Sequence, residues 1–284
     1  MVALRCDAAP KADLCASCSE KPMPDDREAD EADLAARIPK KVYKMKNETQ
    51  LRGLSWTGLV LFFGIPTILN LIAFKLAIPY LTNNTDLPIE ASYFLSVGGI
   101  VLAPMFFGAI FLAGREIGSY KMVDILSRFR VKRLCRVDWL WTIVGFVGLC
   151  VASILIVDYV MPIFNATSMP FFFQNMPLAS DHMWLLYVWP VFFFFNIFGE
   201  EFLWRGYIQP RQELLNKRWT WLVHGLFWAS WHIPMGFDLI FASLPIFFVL
   251  PAIVQFRQNT TIAIVIHAVF GAMGFLFLAF GLIR

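Results

Sequence analysis

The stretch 260–283, TTIAIVIHAVFGAMGFLFLAFGLI, contains no Asp, Glu, Lys or Arg and a single histidine, His267. A helix of about 20 such residues crosses the ~30 Å hydrocarbon layer of a bilayer, so the natural surroundings of this run are lipid. Working back toward the N-terminus, further apolar segments of similar reach occupy roughly 54–81, 93–114, 139–162, 184–207, 219–237 and 240–256. Pro66, Pro104, Pro190, Pro245 and Pro251 interrupt some of them, as membrane helices allow when neighbours satisfy the freed backbone groups. The pattern predicts an all-α, multi-pass transmembrane helical bundle of about seven spans.

Composition agrees. Of 284 residues 58% are hydrophobic and 16% charged, against about 45–50% and about 25% in an average soluble domain. A disordered chain, a collagen-like fibre and an ordinary soluble enzyme are excluded. The net charge of +3 is small and unevenly spread, so a nucleic-acid partner is not expected. The partner that the composition does imply is the lipid bilayer.

Residues 1–53 differ from the rest. Asp25, Asp26, Glu28, Asp30, Glu31 and Asp33 form an acidic block, and Arg37, Lys40, Lys41, Lys44 and Lys46 a basic one. Such blocks predict a solvated, disordered tail ahead of a transmembrane domain at 54–284. Cys6, Cys15 and Cys18 lie in this tail. A closed zinc site needs four ligands and no fourth Cys or His is near, so free thiols are expected. The link between the second and third spans carries Arg128, Arg130, Lys132, Arg133 and Arg136, whereas 82–92 and 163–183 hold no Lys or Arg. The charge rule for membrane topology therefore predicts a cytoplasmic N-terminus. The segment 170–173, Pro-Phe-Phe-Phe, reads as an interfacial loop. The membrane is the plasma membrane in a prokaryotic host and the endoplasmic reticulum in a eukaryotic one.

Residues 196–211, NIFGEEFLWRGYIQPR, break the apolar rule. An ionised group at the centre of a membrane helix costs ~2.5–3.5 kcal/mol on insertion scales. Glu201 and Arg205 are four apart and share a face, so they can neutralise each other. Glu200 is rotated by about 100° from Glu201 and shares its own face with Asn196. Taken alone, the triplet reads either as an ion-pair clamp or as a site. Two intramembrane histidines on other spans, His232 and His267, make a convergent cluster with the spare Glu200. His224, two turns before His232, is expected to support the cluster rather than belong to it. Counting helical rise from the expected cytoplasmic ends puts Glu200 and His267 about 10–12 Å deep and His232 nearer 20 Å, a mismatch in depth.

A buried carboxylate suits a general base, and Glu with His can jointly hold a water while a second His faces a developing oxyanion. That would be peptide hydrolysis without a protein nucleophile and with no cofactor. The same Glu200, His232 and His267 could instead ligate one divalent metal such as Zn, which would then activate the water. The His-Glu-x-x-His, Gly-x-Gly-Asp, Gly-x-Ser-x-Gly and nucleotide-binding signatures are absent from the sequence.

Glu200-Glu201-x-x-Trp204-Arg205-Gly206, the aromatic Trp228 four residues before His232, and His267 at the head of a third motif resemble the CPBP family. This family comprises CAAX proteases and bacteriocin-processing enzymes, also called Abi, and its best-known branch, which the sequence also resembles, is the type II CAAX prenyl endopeptidases. The resemblance covers about 140–283. It implies an intramembrane endopeptidase, a hydrolase often labelled a metalloprotease. In that family pattern Glu200 would activate the water, His232 would help bind it and His267 would serve the oxyanion. Glu201 and Arg205 would form the supporting pair. It also implies a membrane-associated peptide or prenylated protein as substrate. Two positions depart from the pattern: Trp228 stands where Phe is usual, and Gly271 where the third motif usually ends in Asn. Other classes remain compatible with the cluster: a catalytically inactive relative that binds membrane peptides or partners, and a proton-linked transporter.

Overall fold

The computed structural model describes residues 51–167 and 169–282; most of the polar tail, including Cys6, Cys15 and Cys18, lies outside them. Every regular element among the described residues is helical. In chain order they are α1 (Trp56–Asn84), α2 (Ile89–Ile117), α3 (Met122–Arg128) and α4 (Arg136–Phe164). They continue with α5 (Leu185–Glu200), a π-helical continuation Glu201–Ile208, and α6 (Gln209–Asn216). Three more complete the bundle: α7 (Thr220–Trp231), α8 (Phe237–Arg257) and α9 (Thr260–Ala279).

Six helical runs are long and apolar enough to span a membrane, and the protein is a multi-pass membrane protein. The seven expected segments map onto these six because the fourth and fifth fall within one run, Leu185–Trp231. That run turns at Lys217, whose φ of 49° breaks the helical path. The outward faces of α1 and α4 expose Val60, Leu61, Ile65, Leu140, Ile143 and Val147. Contiguous apolar surface of this kind belongs in lipid.

Local chemistry sets the helix ends. Ser55 Oγ accepts from the Gly58 N–H at the start of α1, and Asn259 Oδ1 accepts from Thr261 N–H at the start of α9. Asp138 accepts from the Cys135 N–H and from Arg257 Nε at 2.9 Å, which ties α4 to the end of α8. Several basic residues of the links are paired: Arg130 with Glu213 at 2.9 Å, and Arg128 and Arg211 both with Glu116 at 3.1 and 2.8 Å.

Glycine sets the closest helix approach. A Cβ at Gly199 would stand 2.7 Å from the Leu102 carbonyl oxygen, so only glycine lets α5 press against α2 there. The next residue is Glu200, so this approach fixes its height in the bundle. Phe63 stacks on Trp204 at 4.5 Å and Phe94 on Phe192 at 4.8 Å, packing α1 and α2 against the α5 run.

Candidate active site

Glu200 ends α5, and the π-helical turns begin at the next residue. Such widened turns leave backbone groups out of the ordinary ladder and recur at functional sites. The carboxylate is 2% exposed. Asn196 Nδ2 donates to its Oε1 at 2.7 Å, and Trp228 Nε1 donates to its Oε2 at 2.8 Å. Both oxygens are thus fixed by neutral N–H groups, one from the same helix face and one from α7.

His232 follows α7 directly. Pro234 ends the helix, and Gly236 at φ 106° turns the chain toward α8. The His232 amide donates to the Ala229 carbonyl, and its ring Nδ1 donates to the freed Trp228 carbonyl at 2.9 Å. A carbonyl only accepts, so Nδ1 carries the hydrogen and Nε2 of the neutral ring is an acceptor. His267, on α9, donates Nδ1–H to Glu201 Oε1 at 2.8 Å. A carboxylate partner fixes the ring orientation.

Glu201 and Arg205 are fully buried and form the expected i,i+4 pair, Nη1 to Oε1, at 3.3 Å. The guanidinium carbon sits 3.5 Å from the centre of the Trp228 ring. Arg205 Nε, Nη1 and Nη2 have no hydrogen-bond acceptor among the described residues, so the pairing is electrostatic and aromatic. Trp228 is the common neighbour. It donates to Glu200, accepts from His232, stacks on Arg205 and lies 6.0 Å from the His267 ring centre. His224 is buried beside Gln212, to which its Nδ1 is hydrogen-bonded, and does not line the cavity described next.

Glu200, His232, His267, Asn196, Trp228 and Gly271 all line one cavity of about 300 Å³. Three separate segments, α5, the end of α7 and α9, supply them. The expected depth mismatch does not keep the three side chains apart, since all line one cavity, and the fourth segment does not end at 207. It runs on through Asn216, so depths counted from the expected segment ends do not hold.

Three contributors were not legible in the sequence. Tyr93 of α2 lines the cavity, as do Phe172 and Phe173 of the segment read as an interfacial loop. Glu90 is buried without a cationic partner among the described residues. The alternative of a metal held by Glu200, His232 and His267 does not fit. Among the described residues no group of three or more His, Cys, Asp or Glu is placed to hold an ion.

Neither a curated protein nor a solved structure matches the chain. Residues 182–273 match the family described as Type II CAAX prenyl endopeptidase Rce1-like, a family of proteases. That segment contains Asn196, Glu200, Glu201, Arg205, His224, Trp228, His232, His267 and Gly271. Over residues 182–273 this multi-pass membrane protein is similar to the type II CAAX prenyl endopeptidases, and that segment supplies the polar residues of the cavity.

Proposed function

We propose that the protein is an intramembrane endopeptidase that hydrolyses a peptide bond with water activated by Glu200, acting on membrane-associated or prenylated C-terminal peptides. The observation that carries this reading is the convergence of Glu200, His232 and His267 on one cavity. In the proposed reaction a water donates one hydrogen bond to His232 Nε2 and gives a proton to Glu200 as its oxygen bonds to the carbonyl carbon. His267, held by Glu201, faces the oxyanion that forms. Glu200 then delivers the proton to the leaving amine nitrogen as the C–N bond breaks. Asn196 and Trp228 orient the Glu200 carboxylate, and Arg205 offsets the charge of Glu201.

Gly271 favours a second reading, a relative that binds peptides without cutting them. It lines the cavity at a position where an amide would offer an oxyanion donor, and loss of one such donor costs ~10²–10³ in rate. The test is cleavage of farnesylated and unmodified peptides by purified wild type and Glu200→Gln. Cleavage by wild type alone supports the peptidase. Absence of cleavage together with peptide binding supports the silent relative. Equal cleavage by both proteins removes Glu200 from the mechanism.

A further inference from the structure

Residues 169–184 join α4 to α5 and contain no Lys or Arg. This segment is pinned at two places. The Asn175 N–H and Nδ2 donate to the two oxygens of Glu90 at 2.9 and 3.0 Å, and the Leu178 N–H donates to the Ala279 carbonyl at 3.0 Å. Just ahead of it, the Thr167 N–H donates to Asp238 at 3.0 Å. The segment is therefore held to α2 and α9.

Glu90 is 0% exposed at the first residues of α2, and no Lys or Arg pairs with it among the described residues. A buried carboxylate needs its lone pairs satisfied, and here one asparagine takes both oxygens. This two-bond latch draws the preceding Phe171–Phe173 turn onto the bundle. Phe172 stacks on Tyr93 at 4.2 Å and is almost fully buried. Pro170, Phe172 and Phe173 then line the same cavity as Glu200 and His267.

We propose that this segment is the outer wall of the substrate cavity. In this proposal Phe172 and Phe173 limit the apolar side chain it accepts, and Glu90 is the positioning residue that holds them there. The inference rests on the peptidase reading above and adds the element that selects the substrate. The occupant is a bulky aliphatic or aromatic side chain of an extended peptide. The cavity volume, about 300 Å³, lies at the small end of ligand sites, and near the loop Tyr93, Phe172 and Phe173 contribute aromatic rings to its wall. In such a pocket one methylene more or less shifts selection by roughly 10–200-fold.

The test measures equilibrium binding to proteins that carry Glu200→Gln, so that no peptide is consumed. The probes are farnesylated Cys-Xaa-Xaa-Xaa peptides in which each of the three last residues is varied in turn between Ala, Leu and Trp. The added variants are Phe172→Ala, Phe173→Ala and Glu90→Ala. The expected result is a shift of about tenfold or more toward Trp over Leu at one position in Phe173→Ala and Glu90→Ala. Uniform weakening of all peptides marks a merely structural role and overturns the inference, as does an unchanged Leu-to-Trp ratio. Phe173 is the safer variant because Phe172 stacks on Tyr93. Limited chymotryptic digestion gives an independent readout: Glu90→Ala is cut within 169–184 and the parent is not, and equal resistance refutes the latch. If the parent binds none of the peptides, the inference falls. Wild-type cleavage assayed alongside then shows whether the peptidase reading falls with it.

Discussion

Arg205→Ala perturbs the most exacting contact in the bundle. The guanidinium is fully buried, 3.3 Å from Glu201 and 3.5 Å from the Trp228 ring centre. Its removal leaves the Glu201 carboxylate buried, with the His267 N–H as its remaining donor among the described residues. Breaking a buried pair from one side costs about 3–5 kcal/mol, because the surviving charge has no solvent. A desolvated cation–aromatic contact adds about 2 kcal/mol. The two share a partner and do not add fully, so a loss of at least about 4 kcal/mol is expected, against a total stability of ~5–15 kcal/mol for a typical domain. The companion variant Glu201→Leu/Arg205→Met removes both charges and replaces them with apolar side chains, which is often neutral or stabilising. It should recover most of the stability but not the activity, since His267 loses the carboxylate that orients it. The assay is reversible unfolding in detergent of wild type, the single variant and the double variant. A single variant within about 0.5 kcal/mol of wild type would refute the buried-pair account. So would a double variant no more stable than the single one.

Three other outcomes follow from the geometry. Trp228→Phe retains an aromatic wall but deletes the indole N–H on Glu200; a hydrogen bond to a charged group is worth about 1.5–3 kcal/mol, so kcat should fall by roughly 10–100-fold, and the unfolding midpoint should fall as well because the same indole packs on Arg205. Gly199→Ala forces a Cβ to 2.7 Å from the Leu102 carbonyl oxygen and should destabilise the protein by about 1–3 kcal/mol, read as a lower unfolding midpoint. A Cβ at Gly271 would meet only Phe193, at 3.4 Å, and Gly271 lines the cavity, so Gly271→Asn should raise kcat by about tenfold or more in a peptide-cleavage assay.

Much of the site was readable from residue spacing. Lipid leaves few explanations for Glu200, Glu201 and Arg205, and the i,i+4 rule separates the paired carboxylate from the spare one before any coordinate is seen. The histidines were legible for the same reason, as the polar groups of otherwise apolar runs. Three features were not. The extension of the fourth helical segment to Asn216 depends on tertiary satisfaction of polar residues such as Gln209, which donates to the Pro251 carbonyl, and local polarity instead reads as a helix end. The Phe171–Phe173 turn looks interfacial because aromatic clusters favour that zone. Only its distant partners, Glu90 and Tyr93, draw it into the cavity wall. The Trp228 departure from the family pattern reads as a mild change of wall, and only the structure shows its N–H on Glu200.

Single-turnover cleavage of a farnesylated peptide by Glu200→Gln, His232→Ala, His267→Ala and the Glu200→Gln/His267→Ala double variant tests the cooperating cavity most directly. Groups that act on one water as a unit lose their effect together, so each single variant should fall by about 10²–10⁴ and the double little further than the worse single. Full activity in Glu200→Gln, or losses that multiply in the double variant, would contradict the account.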